Sequence, residues 1–215
     1  MIPSDEAIGI GQPSTYFLRN IITTVLDVTV TGWANVLTAK TLSKTSSETE
    51  IAGNLCREMK AEKKRRQLST IRIEEEVGTH SSLNSPKPEG RIDVKIIYSF
   101  DEAEYFGMEC KRINDETNDL AREYVNHGVT RFVTGSYSPN HSWGAMLGFV
   151  IDGKTGNCIN RVKSQLSKHK QQTHMKSGWD IEKNFGIRQN LYRTQHHQPK
   201  QDNQITILHL FLSIN

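Results

Sequence analysis

Three residues of this chain have the types and spacing for chemistry on a negatively charged substrate: Asp93, Glu109 and Lys111. Asp93 lies in the run Arg91-Ile-Asp-Val-Lys-Ile-Ile-Tyr98, and Glu109 and Lys111 lie in Tyr105-Phe-Gly-Met-Glu-Cys-Lys-Arg112, with the polar turn Ser-Phe-Asp-Glu-Ala-Glu between them. Both runs are rich in β-branched and aromatic residues, which predicts two strands of a hairpin. Side chains alternate faces along a strand, so Glu109 and Lys111 share one face while Met108 and Cys110 point the other way. A hairpin centred near Asp101 pairs position 93 with position 109. Directly opposed Cβ atoms are roughly 4.5–5.5 Å apart, and like charges that close destabilise a sheet. The pair therefore predicts a hard divalent cation, Mg²⁺ with Mn²⁺ as a substitute, held by the two carboxylates and completed by water. Lys111 then stands where an ammonium orients a water or balances charge on a phosphate. The plainer reading is a solvated hairpin with charges on its outer face, and the apolar residues that bracket all three positions argue against it.

An Asp on one strand followed by Glu-x-Lys on the next resembles the active-site core of the PD-(D/E)XK nuclease superfamily, the restriction-endonuclease-like fold. The resemblance implies an α/β domain with a central mixed β-sheet flanked by helices, here with an extra N-terminal helix. It implies a Mg²⁺-dependent nuclease in which Asp93, Glu109 and Lys111 are catalytic, with Asp93, Glu109 and the carbonyl of Cys110 as metal ligands. Ile92 stands where the family name has Pro. Members of the family often carry an acid on the helix before the sheet; Glu50 is the choice here and Glu58 the second, with helix capping as the competing role for Glu50. The implied substrate is nucleic acid, DNA ahead of RNA, in restriction, defence or repair. The rival readings are a non-catalytic nucleic-acid-binding or assembly subunit that keeps the fold, since fold alone does not dictate activity, and a hydrolase of other phosphate esters.

The elements that must position these residues are read from periodicity and punctuation. Residues 1–13 hold Pro3, Gly9, Gly11 and Pro13 and predict a loose arm; Ser14 or Thr15 then caps a helix to about Leu42, with a break or kink at Gly32. Ser47 and Glu50 have capping-box spacing and open a second helix through about Arg66, with Ile51, Leu55 and Met59 as its apolar stripe. Ser69 to Val77 predicts the first strand, with Glu74–Glu76 turned to water, and Gly78 to Gly90 a loop. After the hairpin, Asn114 starts a helix that ends at His127-Gly128, and Val129 to Val133 predicts a short strand parallel to the hairpin. Trp143 to Ile151 is a core segment readable as helix or strand. Cys158 to Lys168 is an amphipathic helix, residues 169–203 are polar and weakly periodic, and Gln204 to Ile214 is a buried final strand. The boundaries drawn from this are an N-terminal arm and helix over 1–45 and the nuclease-like domain over 46–215, expected to form one compact unit overall.

Composition bounds the remaining choices. The chain has 215 residues, 27 Lys or Arg against 24 Asp or Glu, and a net charge of +3, too small by itself to argue nucleic-acid binding. Its distribution says more: between Lys154 and Lys200 ten Lys or Arg face only Asp180 and Glu182, and a second basic cluster spans Arg57 to Arg66. Basic surface around an acidic centre suits a polyanion. Cys56, Cys110 and Cys158 show no paired spacing, which excludes a disulfide framework and a Cys-type zinc site and predicts reduced thiols in a cytoplasmic protein. No apolar run is expected to reach membrane-spanning length. His196-His197 and His209 are read as structural. A homodimer or a partner protein is expected to help a chain of 24.4 kDa span a duplex.

Overall fold

The computed structural model describes residues 15–79, 90–99, 105–137, 141–187 and 190–214. The expectations for residues 1–13, for most of the Gly78–Gly90 loop and for the hairpin turn at 100–104 lie outside the described residues. Seven strands form one mixed sheet: β1 (Arg72–Thr79), β2 (Gly90–Ile97), β3 (Tyr105–Ile113), β4 (Trp143–Val150), β5 (Met175–Ile181), β6 (Leu191–Gln198) and β7 (Asn203–Ser213). Their spatial order is β1-β2-β3-β4-β7-β6-β5. The central pairs β3–β4 and β4–β7 are parallel and the outer pairs antiparallel. Helices cover both faces, so β4 is buried along nearly its whole length and its sequence alternates with nothing polar.

One face carries α1 (Thr15–Ala39) and α2 (Glu48–Arg65). Ile22, Leu26, Trp33 and Val36 of α1 recur at helical spacing and share a core with Leu55 and Met59 of α2 and with Met108, Cys110 and Leu147 of the sheet. Each such aliphatic or aromatic side chain contributes about 1.5–3 kcal/mol on burial. Trp33 stacks on Phe149 with ring centroids 5.4 Å apart, and its indole N–H donates to the Ser213 carbonyl at 2.9 Å. α1 does not break at Gly32: a Cβ there would lie 3.1 Å from the backbone nitrogen of Met59, so the glycine lets α1 and α2 approach closely. By length and composition Leu18–Ala39 is apolar enough to cross a membrane, contrary to the expectation, and half of it is buried inside the fold.

The other face carries α3 (Asp119–Glu123), a π-helical turn (Tyr124–Val129), α4 (Thr130–Val133) and α5 (Thr155–Lys168). The predicted strand at Val129–Val133 is therefore helix. Val125, Val129, Phe132 and Val133 are all buried and recur at i, i+4, i+7 and i+8, so helical periodicity overrides β-branched composition. Gly128 does not stop the helix either; its missing Cβ accommodates the Met146 methyl group. The strand returning parallel to the hairpin is β4. The weakly periodic region after α5 contains β5 and β6.

Candidate active site

The register of β2 and β3 is the one expected. Val94 pairs with Met108, Lys95 with Gly107 and Ile97 with Tyr105, which carries Asp93 and Glu109 to opposed positions one step further along. The next backbone amide of β3, Cys110 N–H, donates to Asp93 Oδ2 at 2.7 Å and fixes that carboxylate against the strand. Glu109 is 2 % exposed. Its Oε1 accepts from the Lys111 ammonium at 3.0 Å, and its Oε2 is buried with no hydrogen-bond donor among the described residues. Burial, then the charge of Asp93, pushes the Glu109 carboxyl up to about 8, with Lys111 opposing. Burial likewise raises Asp93, although the Cys110 amide and Lys111 pull the other way.

Lys111 is held at three points. Its Nζ donates to Glu48 Oε1 at 2.7 Å and to the Cys110 carbonyl at 2.9 Å in addition to Glu109. Burial works against its charge, but Glu109 and Glu48 together raise its pKa above the ordinary lysine value, so the ammonium stays protonated. That makes Lys111 a donor and not a proton acceptor.

The α2 acid in contact with Lys111 is Glu48, whereas Glu50 lies in the helix cap. Glu48 also accepts from the Arg112 backbone N–H through Oε2 at 3.0 Å, tying the first turn of α2 to β3. Glu50 completes the capping box: its Oε2 accepts from Ser47 N–H at 3.3 Å while Ser47 Oγ accepts from Glu50 N–H at 3.1 Å. Glu58 pairs with Arg57. Two positions on a helix turn by about 200°, which is why only one of Glu48 and Glu50 can face the sheet. The signal that separates them is the cap itself: with Ser47 as N-cap, Glu50 is its reciprocal partner and Glu48 is free to turn inward.

A cleft of about 350 Å³ opens beside Asp93, lined by Thr49, Ala52, Gly53, Glu75, Glu76 and Arg91. Glu75 and Glu76 are exposed to water as expected, and they also line this cleft. Glu76, opposite Asp93 in the β1–β2 register, has φ of 51°, a left-handed conformation rarely adopted by a non-glycine residue. Arg91 braces it, with Nε donating to the Glu76 carbonyl at 3.2 Å.

No cluster of three or more His, Cys, Asp or Glu side chains suited to a metal occurs among the described residues. The donor set at Asp93 and Glu109 nonetheless fits a hard cation, because Mg²⁺ takes one or two carboxylates and fills its shell with carbonyls, water and substrate oxygens. The donorless Glu109 Oε2 has the chemistry of such a ligand. Cys110 contributes only its backbone; its thiol lies on the opposite, fully buried face.

Much of the basic surface counted in the sequence is neutralised internally. Arg65 and Arg66 both pair with the buried Glu62, and Arg66 also with Asp27. Arg161 and Lys154 pair with Asp115, and Arg193 with Glu182. Sequence reading also passed over Arg131 and Tyr137: the Arg131 charge acts on Glu109, while burial and the carboxylates keep the Tyr137 hydroxyl neutral. No family model, curated protein or solved structure matches the chain.

Proposed function

We propose that the chain is a divalent-cation-dependent phosphodiesterase acting on nucleic acid, DNA ahead of RNA, of the kind its resemblance to PD-(D/E)XK nucleases implies. The observation that carries this reading is the pair of opposed carboxylates, Asp93 half-buried and Glu109 buried with one oxygen that has no donor, beside a lysine kept charged. Asp93 and Glu109 would hold the cation, with the Cys110 carbonyl available as a further ligand. Bound there, the cation supplies a more acidic water and Lewis-acid charge toward a phosphoryl oxygen. The chain's own residues do the rest. Asp93 is oriented by the Cys110 amide, and Lys111 directs a fixed ammonium toward the position where phosphate charge develops. Glu48 stops Lys111 from folding onto Glu109 alone and so holds it between two carboxylates.

Cleavage of supercoiled, linear and single-stranded DNA and of structured RNA, in Mg²⁺ or Mn²⁺, tests the reading. Wild type is compared with Asp93→Asn and Lys111→Ala, each with an EDTA control. Loss of cleavage in both variants and in EDTA supports the assignment. Cleavage that survives both substitutions overturns it. A wild type that binds nucleic acid without cutting it points to the non-catalytic subunit.

A further inference from the structure

The helical layer places one guanidinium beside the carboxylate pair, and its surroundings define a task. Glu109 lies next to Met146 and Gly107 next to Gly144 in the parallel β3–β4 register. The helix crosses these strands with Gly128 seated on Met146 and Phe132 filling the space over Gly144, where a Cβ would lie 2.5 Å from the ring. Gly128 is also close to Lys111, whose Cγ would be 3.8 Å from a Cβ there. Arg131, three residues after Gly128 on the neighbouring helical position, therefore sits at the level of Glu109, on the face that bears the site.

Arg131 is exposed, and among the described residues it makes no ion pair, although most arginines of this chain do. Its Nη1 donates to the hydroxyl of Tyr137, and its guanidinium lies 5.4 Å from the centre of that ring. Tyr137 is fully buried, is braced edge-on by Phe132, and returns its backbone N–H to the Arg131 carbonyl at 3.1 Å. A buried tyrosine thus restrains an arginine that makes no close ion pair among the described residues, although the charges of Glu109 and Asp93 act on it from further away. Restraint lowers the rotamer entropy lost when an external anion binds, and a planar guanidinium presents paired donors to phosphate oxygens. Burial and the Tyr137 hydroxyl act in opposite senses on Arg131, with the net effect of strengthening its charge.

We infer that Arg131, set in place by Tyr137, is a phosphate-binding residue that grips a backbone phosphate of the nucleic acid lying across Asp93 and Glu109. This rests on the proposed function for the identity of the polyanion; the guanidinium's role as the contact is independent of whether the bond is cut.

The test is fluorescence anisotropy of the full chain with a fluorescein-labelled DNA duplex of about 20 base pairs, across a salt series, with cleavage in Mg²⁺ measured in parallel. Wild type is compared with Arg131→Gln, Arg131→Lys and Tyr137→Phe, and thermal melting verifies folding. Arg131→Gln is expected to weaken duplex binding about 5- to 20-fold and to reduce the slope of log K against log[salt] by about one, the signature of one lost phosphate contact. Arg131→Lys should recover the slope but only part of the affinity, because a point charge replaces the fork. Tyr137→Phe keeps the ring and the charge; it should weaken binding a few-fold with the salt slope unchanged, as expected of a positioning residue. If wild type binds but does not cut and Arg131→Gln still lowers the slope, the clamp stands and the nuclease reading falls. If wild type cuts and Arg131→Gln binds and cuts with the wild-type salt slope, the clamp is overturned and the nuclease reading stands. A wild type that binds no nucleic acid overturns the clamp.

Discussion

Two clusters of buried polar side chains lie on this sheet, and they differ in how completely their atoms are matched. At Asp93, Glu109 and Lys111 acceptors crowd together, one carboxylate oxygen has no donor, and burial pushes a carboxyl up to about 8. At Tyr124, His209, Thr194 and His196 every polar atom has a partner. His196 Nδ1 faces the Thr173 carbonyl at 2.7 Å, and a carbonyl only accepts, so Nδ1 carries the hydrogen and Nε2 accepts from the Thr194 hydroxyl at 2.7 Å. Thr194 Oγ1 then accepts from His209 Nε2–H at 2.8 Å, and His209 Nδ1 accepts from the Tyr124 hydroxyl at 2.9 Å. One placement of hydrogens satisfies the chain, with both imidazoles neutral. A matched network stabilises a fold; a mismatched one is retained where an external group completes it. The first cluster has the character of a site and the second that of a core.

Glu109→Gln separates the two most sharply. Under the proposed function it should reduce cleavage at least about 10³-fold, comparable to removing an electrostatic contributor worth about 4 kcal/mol in a transition state. In metal-free protein at pH 8 it should also raise stability, by about 2–4 kcal/mol, because each unit of raised pKa is worth about 1.36 kcal/mol. Activity and urea denaturation of one preparation measure both. A variant that is inactive and less stable than wild type would mean that Glu109 belongs to a structural network like the histidine pair.

Thr194→Val applies the converse test. Valine fills the same volume but removes the hydroxyl between the imidazoles, leaving His209 Nε2–H and His196 Nε2 buried without it. Two unmatched buried groups cost about 1–3 kcal/mol each, so a loss of about 3 kcal/mol is expected by urea denaturation, with cleavage per folded molecule unchanged.

The clusters also respond to acid with opposite signs. Burial pushes His196 down to about 4 and His209 well below its ordinary value, so as pH falls through 6.5 the unfolded chain takes up protons first and stability drops. Glu109 is raised in the folded state, so as pH falls from 8 toward 4.5 the folded chain takes up a proton first and stability rises. In wild type the rise from Glu109 offsets only part of the loss from the two histidines between about pH 6.5 and 4.5. Glu109→Gln removes that rise, and its stability should then fall more steeply than that of wild type by about 1.4 kcal/mol per pH unit. Parallel slopes in the two proteins would show that Glu109 is an ordinary carboxylate.

The hairpin was legible because period-two alternation and the turn fix its register, and with it the opposition of positions 93 and 109. The helical layer was less so. Val129 to Val133 carries strand-favouring residues, but its buried positions follow a helical repeat that continues from Val125 through Gly128, a glycine placed for Met146 and not for a turn. Trp143 to Val150 gave no period because both of its faces are covered. β6 escaped notice because its buried residues include Thr194, His196 and Gln198, polar side chains that a sequence pattern assigns to a solvated surface. Arg131 reaches the site through that same helical layer, so misreading the layer concealed it.

Glu48 and Glu50 give the finest resolution between site and scaffold, since they are two residues apart on one helix. A carboxylate can accept from Lys111 through one oxygen and from Arg112 N–H through the other, as Glu48 does. An amide has a single acceptor oxygen, so Glu48→Gln forfeits one of these contacts and presents N–H against N–H at the other. Cleavage should fall about 10-fold, within the range of a positioning contact, with at most about 1 kcal/mol lost in stability. Glu50→Ala should do the reverse: it removes the acceptor for Ser47 N–H, costs about 0.5–1 kcal/mol, and leaves cleavage unchanged because its contacts stay within the cap. If Glu50→Ala lowers cleavage as much as Glu48→Gln, then α2 acts on Lys111 through the integrity of its first turn, and Glu48 is one of several residues holding that turn in place.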